Sequence, residues 1–365
     1  GIVLDEHDGP DLQPPRSYPG KLTKFLLKRA QTFDFDLGKG LTVVPCELIE
    51  DNGDRLREVV LTLADRWRLD VRFTAWVEQA VWFANTLVDR IVPGVPAVTV
   101  LMELRKELGY QDELLTVAEP YRLFALQGSD ELRCRLGFAA GDASVVVSED
   151  IRPYRERKLR LLNGTHTLMA PTALLCGLDT VGDAVENALM GRFVRRVLFE
   201  ELLPVVGVPD AETFAGEVLT RLANPFVRHG LLDITLEGVT KLRVRVIPAL
   251  TRYVQERKSL PNSVVFGLAG FFLFMRGDLV DRTEGLPIPA DRHANRFRVA
   301  WRTSWKNSVS LGALVQDILS DTVLWGSDLS RIPDLTEAVE ADLVRMLQVG
   351  TPLALEAHLM AVGAA

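Results

Sequence analysis

The chain has 365 residues, 47% of them hydrophobic and 25% charged, and its formal net charge at pH 7 is -7. This length and composition predict a globular protein of two domains, each able to bury a core. No long basic tract is present, so we do not expect a nucleic-acid partner, and the most apolar run, Val264 to Met275, is shorter than the roughly 20 residues that a bilayer requires.

The three cysteines, Cys46, Cys134 and Cys176, are far apart in the sequence. They lack the Cys-x2-Cys spacing of a zinc site, and no paired histidines supply one. We therefore expect free thiols, a reducing compartment and no bound metal. The first residues show no signal-peptide pattern, which favours a cytoplasmic location without a membrane contact.

The first 150 residues alternate between helical and strand patterns. Apolar residues recur at helical spacing from Lys21 to Thr32 and from Leu56 to Trp67. Between these helices, the β-branched run from Leu41 to Cys46 is typical of a buried strand. Alternation of this kind predicts an α/β domain, and the remaining strand candidates are Trp82 to Pro93, Leu123 to Leu126 and Ala143 to Val147.

Helical periodicity dominates from Arg157 to the end of the chain. We therefore predict two domains, residues 1–150 and 151–365, the first α/β and the second all-α. The segment from Asp281 to Arg298 is polar and loop-like, typical of a crossing segment or a flap. No internal repeat is apparent.

Three polar residues, Lys158, Asn163 and His166, interrupt a leucine-rich helical run from Arg152 to Ala170. On an α-helix they would lie at 0°, near 140° and near 80°, with about 12 Å of axial rise between the lysine and the histidine. Each residue alone has an ordinary structural explanation. Their shared side of the helix favours a site that grips a small polyhydroxylated molecule.

The pattern Lys-x4-Asn-x2-His resembles the signature of the mannitol dehydrogenase family, the long-chain, metal-independent polyol and sugar-acid dehydrogenases. The resemblance covers nearly the whole chain from about Tyr18. Taken in this order the motifs are specific, and they are most similar to the tagaturonate reductase (altronate oxidoreductase) branch. The similar stretches are Pro45 to Asp54, Asn85 to Pro93, Asn163 to His166, and Asn224 to His229 followed by Lys241.

This resemblance implies a Rossmann-like parallel-sheet domain followed by a mostly helical C-terminal domain. The sequence contains no Gly-x-Gly-x-x-Gly, and Gly38-Lys39-Gly40 precedes a strand, as a turn does. The chain opens like the middle of the family's first domain, so we expect a partial nucleotide-binding domain that binds NAD weakly or not at all. A non-catalytic fragment or degenerate homologue is therefore the alternative of another class.

Oxidation of a secondary alcohol requires a base for the hydroxyl proton, and the reverse reaction requires an acid. Lys158 is assigned this role, because apolar surroundings destabilise its ammonium form and because the family resemblance implies it. Asn163 is expected to stabilise charge that develops on the substrate oxygen. The family's Cys-Asp-Asn reads Cys-Glu-Leu at 46–48 here, so either Asn52 supplies a second amide, which we favour, or that role is lost.

The resemblance also implies substrate contacts. His166 is expected to hydrogen-bond a substrate hydroxyl, and Lys241 matches a substrate-binding lysine of the family. Eight residues before that lysine, polyol dehydrogenases carry an arginine where this chain has Asp233. Arg228 and His229 are therefore candidates to receive a carboxylate, although an ordinary surface position for the arginine is equally compatible with the sequence.

The segment Val-Asp-Arg-Ile lies beside the nicotinamide in the resembling family, which implies cofactor contacts for Asn85, Val88 and Asp89. Structural hydrogen bonding is the alternative for the polar pair. Together these features predict an NAD-dependent reductase of a keto-hexuronate such as tagaturonate, acting in hexuronate metabolism. Oxidation of mannonate or mannitol is the nearest enzymatic alternative.

Overall fold

The computed structural model describes residues 1–277, 290–306 and 310–363. They form two compact units. Unit 1 contains Gly1–Arg90 and Pro120–Arg155, and unit 2 contains Ile91–Glu119 and the described residues from Glu156 onward. Segment 91–119 thus belongs to unit 2, although it precedes the predicted boundary near residue 150, which stays a prediction.

Helices make up most of the described chain. The α-helices in the first half are α1 Tyr18–Thr32, α2 Asn52–Arg66, α3 Val71–Ala80, α4 Val98–Leu108, α5 Asp130–Arg135, α6 Arg152–Arg157, α7 Thr165–Leu175, α8 Val181–Glu186, α9 Ala188–Arg195 and α10 Leu203–Val206. Those that follow are α11 Ala211–Leu222, α12 Leu231–Thr235, α13 Gly238–Arg245, α14 Ile247–Arg257, α15 Asn262–Phe274, α16 Ala294–Lys306, α17 Leu311–Leu319, α18 Thr322–Trp325, α19 Leu335–Val349 and α20 Thr351–Gly363. Two segments, Lys158–Gly164 and Arg196–Leu202, are π-helical, and three short 3-10 helices span Leu37–Lys39, Gly137–Ala140 and Leu329–Arg331.

The strands lie in unit 1 and form two small sheets. They are β1 Thr42–Val43, β2 Trp82–Phe83, β3 Thr86–Asp89, β4 Leu123–Gln127 and β5 Val145–Ser148. β1 pairs with β2 and β4 with β5, both parallel and both with helices between the paired strands, which confirms the Rossmann-like expectation. The pair β3–β4 is antiparallel, which the sequence did not predict.

Unit 1 is held together by the apolar faces of α1, α2 and α3. Leu26 from α1, Leu56 from α2 and Phe73 from α3 are completely buried, and they share one core with Val43 of β1 and Phe83 of β2. Each helix buries one stripe and leaves its other face polar, as the helical spacing predicts. This core fixes the places where β1 and β2 end.

Unit 2 is built around α7 and α15, which pack against each other. Every residue of α7 is buried, and in α15 only the first residue is not. Helices that are apolar on all sides belong at the centre of a domain. The run from Val264 to Met275 is therefore a core helix, and no helix in the part of the chain that the structure describes has the length and apolarity to span a membrane.

Several helical boundaries differ from the predicted ones. The helical region predicted after Arg157 is divided, between Leu231 and Leu250, among α12, α13 and α14. Glu237 has a left-handed backbone (φ 52), and Pro248 lies in the first turn of α14. Helix α4 was not predicted. The loop predicted from Asp281 to Arg298 falls partly outside the described residues, and its last part is the beginning of α16.

A buried polar cluster caps the first turn of α15. The Glu201 carboxylate accepts the backbone N–H groups of Ser263 at 2.8 Å and Val264 at 2.7 Å. The Ser263 hydroxyl lies 3.2 Å from Nε2 of His358 on α20. Burial, followed by the charges of Arg196 and Arg345, lowers the pKa of His358 to about 4.

His358 should therefore make stability depend on pH. Between pH 6.5 and about 4 the unfolded chain binds a proton at this ring that the folded chain does not. Stability from the neutral ring is thus present above pH 6.5 and is lost as the pH falls. We expect the free-energy advantage of the native protein over His358→Gln, measured by urea unfolding, to shrink between pH 7.5 and 4.5; parallel curves would contradict this assignment.

Candidate active site

The polar stretch that begins at Lys158 is π-helical as far as Gly164, and this corrects the α-helix assumed from the sequence. π-Helical hydrogen bonds join residue i to residue i+5, and such turns are frequent at functional sites. In an α-helix the i to i+4 bond places its two residues on one face. By the same geometry, the π-turn brings Lys158 and Asn163, which are five apart, onto one side.

Lys158 is buried and Asn163 partly buried. The Asn163 carbonyl accepts a hydrogen bond from the Thr167 hydroxyl at 2.6 Å. That hydroxyl in turn accepts from Nη1 of Arg245 on α13, at 3.2 Å. The Arg245 carbonyl accepts from Nη1 of Arg160 at 3.2 Å, so side chains at both ends tie the π-turn to α13.

His166 lies in the first turn of α7 and is only 6% exposed. Its Nε2 atom is buried and has no hydrogen-bond partner among the described residues. Burial lowers the pKa of His166 well below its usual value, and the nearby His229, Arg245, Arg221 and Lys241 lower it further. The ring is therefore neutral at working pH, with one nitrogen open to a ligand.

His229 faces His166 edge-on, with ring centroids 5.5 Å apart. Its backbone carbonyl accepts from Val181 at 3.0 Å, which holds the loop before α12 in place. Its Nδ1 is also buried, and no hydrogen-bond partner for it lies within the described ranges. Burial lowers the pKa of His229, with Lys241 acting in the same direction and Asp233 opposing it.

Lys241 lies one helical turn before Arg245 on α13, so both face the same side. Its Nζ donates to the Ile234 carbonyl at 2.9 Å. Burial, followed by the charge of Arg245, lowers the pKa of Lys241 to about 8. Burial also lowers the pKa of Arg245, to about 10.

The structure thus brings His166, His229 and Lys241 together, but not Arg228. Arg228 is exposed and makes no hydrogen bond or ion pair with any described residue, so the geometry gives it no part in this cluster. The arginine at the cluster is Arg245, which the sequence reading missed. Its i+4 spacing from Lys241 was a usable signal.

In unit 1, Asn52 is completely buried at the start of α2. Its amide nitrogen lies 2.9 Å from the Glu47 carbonyl and 3.0 Å from the Thr86 hydroxyl, and its oxygen accepts from the Thr86 backbone at 2.9 Å. These are contacts within the protein, and the role of Asn52 as a second amide for the substrate stays a prediction. The side chain is occupied in fastening the loop after β1 to β3.

Asn85 is likewise occupied by protein contacts. Its amide nitrogen donates to Asp54 at 2.8 Å and to Gln127 at 3.0 Å, and its oxygen accepts from the Asp54 backbone at 3.0 Å. These bonds support the structural alternative for Asn85, and its predicted cofactor contact stays a prediction. Val88 is half-buried and Asp89 buried in β3, and their predicted contacts with the cofactor remain proposals.

The ends of β1 and β2 and the first turn of α2 have some of the features of a dinucleotide-binding site and lack others. The parallel strands β1 and β2 end side by side, and ligands of doubly wound sheets bind beyond such carboxyl ends. A Cβ on Gly53 would lie 2.5 Å from the Ala84 backbone, so α2 packs as closely as a nucleotide-binding helix does. The first turn of α2 does not fit a pyrophosphate, because Asp51 and Asp54 are acidic and Asn85 occupies the Asp54 N–H.

Comparisons with known proteins agree with this fold. A model of the mannitol dehydrogenase Rossmann domain matches residues 9–136, and a model of the mannitol dehydrogenase C-terminal domain matches residues 150–347. An altronate oxidoreductase of Yersinia pestis is 41% identical over 98% of this chain and 74% of its own length. An altronate oxidoreductase of Bacillus subtilis is 39% identical over 98% of this chain and 72% of its own.

Among solved structures, the Pseudomonas fluorescens mannitol 2-dehydrogenase in ternary complex with NAD and D-mannitol superimposes with a TM-score of 0.71. It is 21% identical and is matched over 95% of this chain and 67% of its own, so it supports the fold. The two family models together cover most of the sequence, in the order in which unit 1 and unit 2 follow each other. The chain therefore belongs to the mannitol dehydrogenase family.

Proposed function

We propose that the protein is an NAD-dependent oxidoreductase that interconverts tagaturonate and altronate. The observation that carries this proposal is the group of buried and partly buried polar side chains in unit 2, in which His166, His229 and Lys241 lie close together beside a π-turn that starts at Lys158. The altronate oxidoreductases at about 40% identity support the choice of substrate.

In this proposal Lys158 exchanges the proton of the reacting hydroxyl, and the Asn163 amide donates to the oxygen as charge develops on it. Their spacing of five residues matches one turn of the π-helix, which favours a common side for the two side chains. NAD, when bound, supplies or accepts the hydride. His166 stays neutral because its pKa is far below the usual value, so its open Nε2 hydrogen-bonds a substrate hydroxyl without adding charge.

Lys241 is proposed to lie at the carboxylate end of the substrate. Its partly buried ammonium makes one hydrogen bond, to the Ile234 carbonyl, and so keeps donors for a ligand. A carboxylate would restore the charged form that burial and Arg245 disfavour. The cytoplasmic location expected from the sequence also belongs to this proposal, and fractionation of the source cells tests it.

Substrate preference tests the proposed function. The protein should reduce tagaturonate with NADH at a kcat/KM about 10²-fold or more above that for fructose, because a desolvated charge contact is lost with the neutral ketose. Initial rates of NADH oxidation over a series of concentrations give both values. Equal or better use of fructose would favour the polyol dehydrogenase alternative, and turnover of neither ketose, nor of mannonate or mannitol, would favour a non-catalytic role.

A further inference from the structure

Four side chains of unit 2 form what we call the basic cluster: His166, His229, Lys241 and Arg245. His166 is buried and the other three are partly buried. The charges of His229, Arg245 and Lys241 all act on His166, and Arg245 acts on Lys241, so the four groups are close enough to influence one another.

The cluster carries positive charge that no carboxylate neutralises directly. Neither Lys241 nor Arg245 forms an ion pair with any residue that the structure describes. The carboxylates that influence Lys241 are Glu237, Asp233 and Asp291. Glu237 pairs with Arg292 at 2.7 Å, Asp291 accepts from the Val239 and His293 backbones at 2.9 and 2.7 Å, and Asp233 is exposed.

A neighbouring arginine shows the opposite situation. Arg221 is buried, but Glu119 binds it through two hydrogen bonds of 2.8 and 3.0 Å. Buried charge is costly unless it is paired. The contrast marks Arg245 and Lys241 as two cations whose charge an external anion would neutralise.

The cluster also holds unused hydrogen-bonding capacity. Of the three guanidinium nitrogens of Arg245, only Nη1 donates to protein, at Thr167, so two remain for a forked contact with a carboxylate. Nε2 of His166 and Nδ1 of His229 lack partners within the described residues. These neutral nitrogens suit hydroxyl groups, which makes a hydroxylated carboxylic acid the matching chemistry.

We propose that Arg245, together with Lys241, receives the substrate carboxylate, and that Arg245 determines the preference for sugar acids over neutral sugars. This inference rests on the proposed function and makes it more specific. It assigns to Arg245 the contact that the sequence suggested for Arg228, which is exposed. Both donors lie on one face of α13, so they approach the carboxylate from the same side.

The test compares binding of altronate with binding of altritol, in which CH2OH replaces the carboxylate. Titrations are made calorimetrically in the presence of NADH, so that no turnover occurs. Arg245→Gln should weaken altronate binding by about 30- to 1,000-fold, the range found when one partner of a desolvated charge pair is removed, and leave altritol binding unchanged. The affinity of Arg245→Lys for altronate should lie between those of the native protein and of Arg245→Gln, because lysine keeps the positive charge but lacks the forked guanidinium.

Arg243→Gln is the matched control, because Arg243 lies on the same helix but is exposed. It should bind altronate as the native protein does, and Arg228→Gln should do the same. If Arg245 served only to hold Thr167, Arg245→Gln would weaken the binding of altronate and of altritol equally, and that result would overturn the proposal. Native-like binding of altronate by Arg245→Gln, or its loss in Arg228→Gln instead, would overturn it as well.

The same experiment separates this inference from the proposed function. If native protein binds altronate through Arg245 but oxidises no NADH with tagaturonate, the carboxylate site stands and the proposed reaction fails. If native protein reduces tagaturonate and Arg245→Gln does so with an unchanged KM, the reaction stands and the role of Arg245 fails.

Discussion

Replacing Lys158 with alanine should lower turnover of tagaturonate by roughly 10²- to 10⁴-fold, the usual contribution of a positioned acid or base. The lysine is buried at the first residue of the π-turn, where no other described side chain of the turn can exchange a proton at neutral pH. The KM should change much less, because binding is assigned to other residues. Stopped-flow measurement of NADH oxidation gives the chemical step directly.

Two controls make this result specific. A small primary amine added to Lys158→Ala should restore part of the rate, because it supplies the missing base. Lys106→Ala, an exposed lysine on α4, should leave turnover unchanged. Near-native turnover in Lys158→Ala, with the fold intact by circular dichroism, would show that another group transfers the proton.

Removing one partner of the Glu119–Arg221 pair should destabilise the protein by about 3–5 kcal/mol, because an uncompensated charge then remains buried. Glu119 is 1% exposed and Arg221 5%. Glu119 also accepts from the Ile91 backbone at 2.6 Å, so it fastens both ends of segment 91–119 within unit 2. Urea unfolding of Glu119→Gln and Arg221→Gln gives the two values.

The exposed pair Arg122–Asp142 provides the comparison, with a separation of 3.0 Å and side chains 55% and 36% exposed. Arg122→Gln should lower the free energy of unfolding by no more than about 1 kcal/mol, since water already solvates both charges. A loss below 1 kcal/mol in Glu119→Gln as well would mean that the buried pair is dispensable. Limited proteolysis within 92–118 would then show whether the segment had nevertheless come loose.

The sequence predicted those elements whose pattern is local. Helix α1, strand β1 and the core helix α15 follow from apolar spacing within each segment, and the structure confirms all three. Helix α4 was not predicted, and none of its residues is buried.

The site was predictable where residues are close in sequence and not where they are distant. His166 and Lys241 were assigned from motifs, and the structure places them in one cluster. The hydrogen bonds of Asn52 could not be predicted, because its partner Thr86 is 34 residues away. The π-turn was not predicted either, because some of its contacts are with residues distant in sequence. The side chain of Arg160 donates to the backbone carbonyls of Val244 and Arg245.

The π-turn fixes the positions of Lys158 and Asn163 relative to each other. In a regular α-helix, residues five apart diverge by about 140°, and only long, flexible side chains would bring their ends together. In the π-helix one wide turn separates the two residues, so the backbone sets the distance between them. Little rotamer freedom would then be lost when both side chains contact the same substrate oxygen. In the proposed reaction the main chain would thereby preorganise Lys158 and Asn163, and any shift of this turn would displace both together.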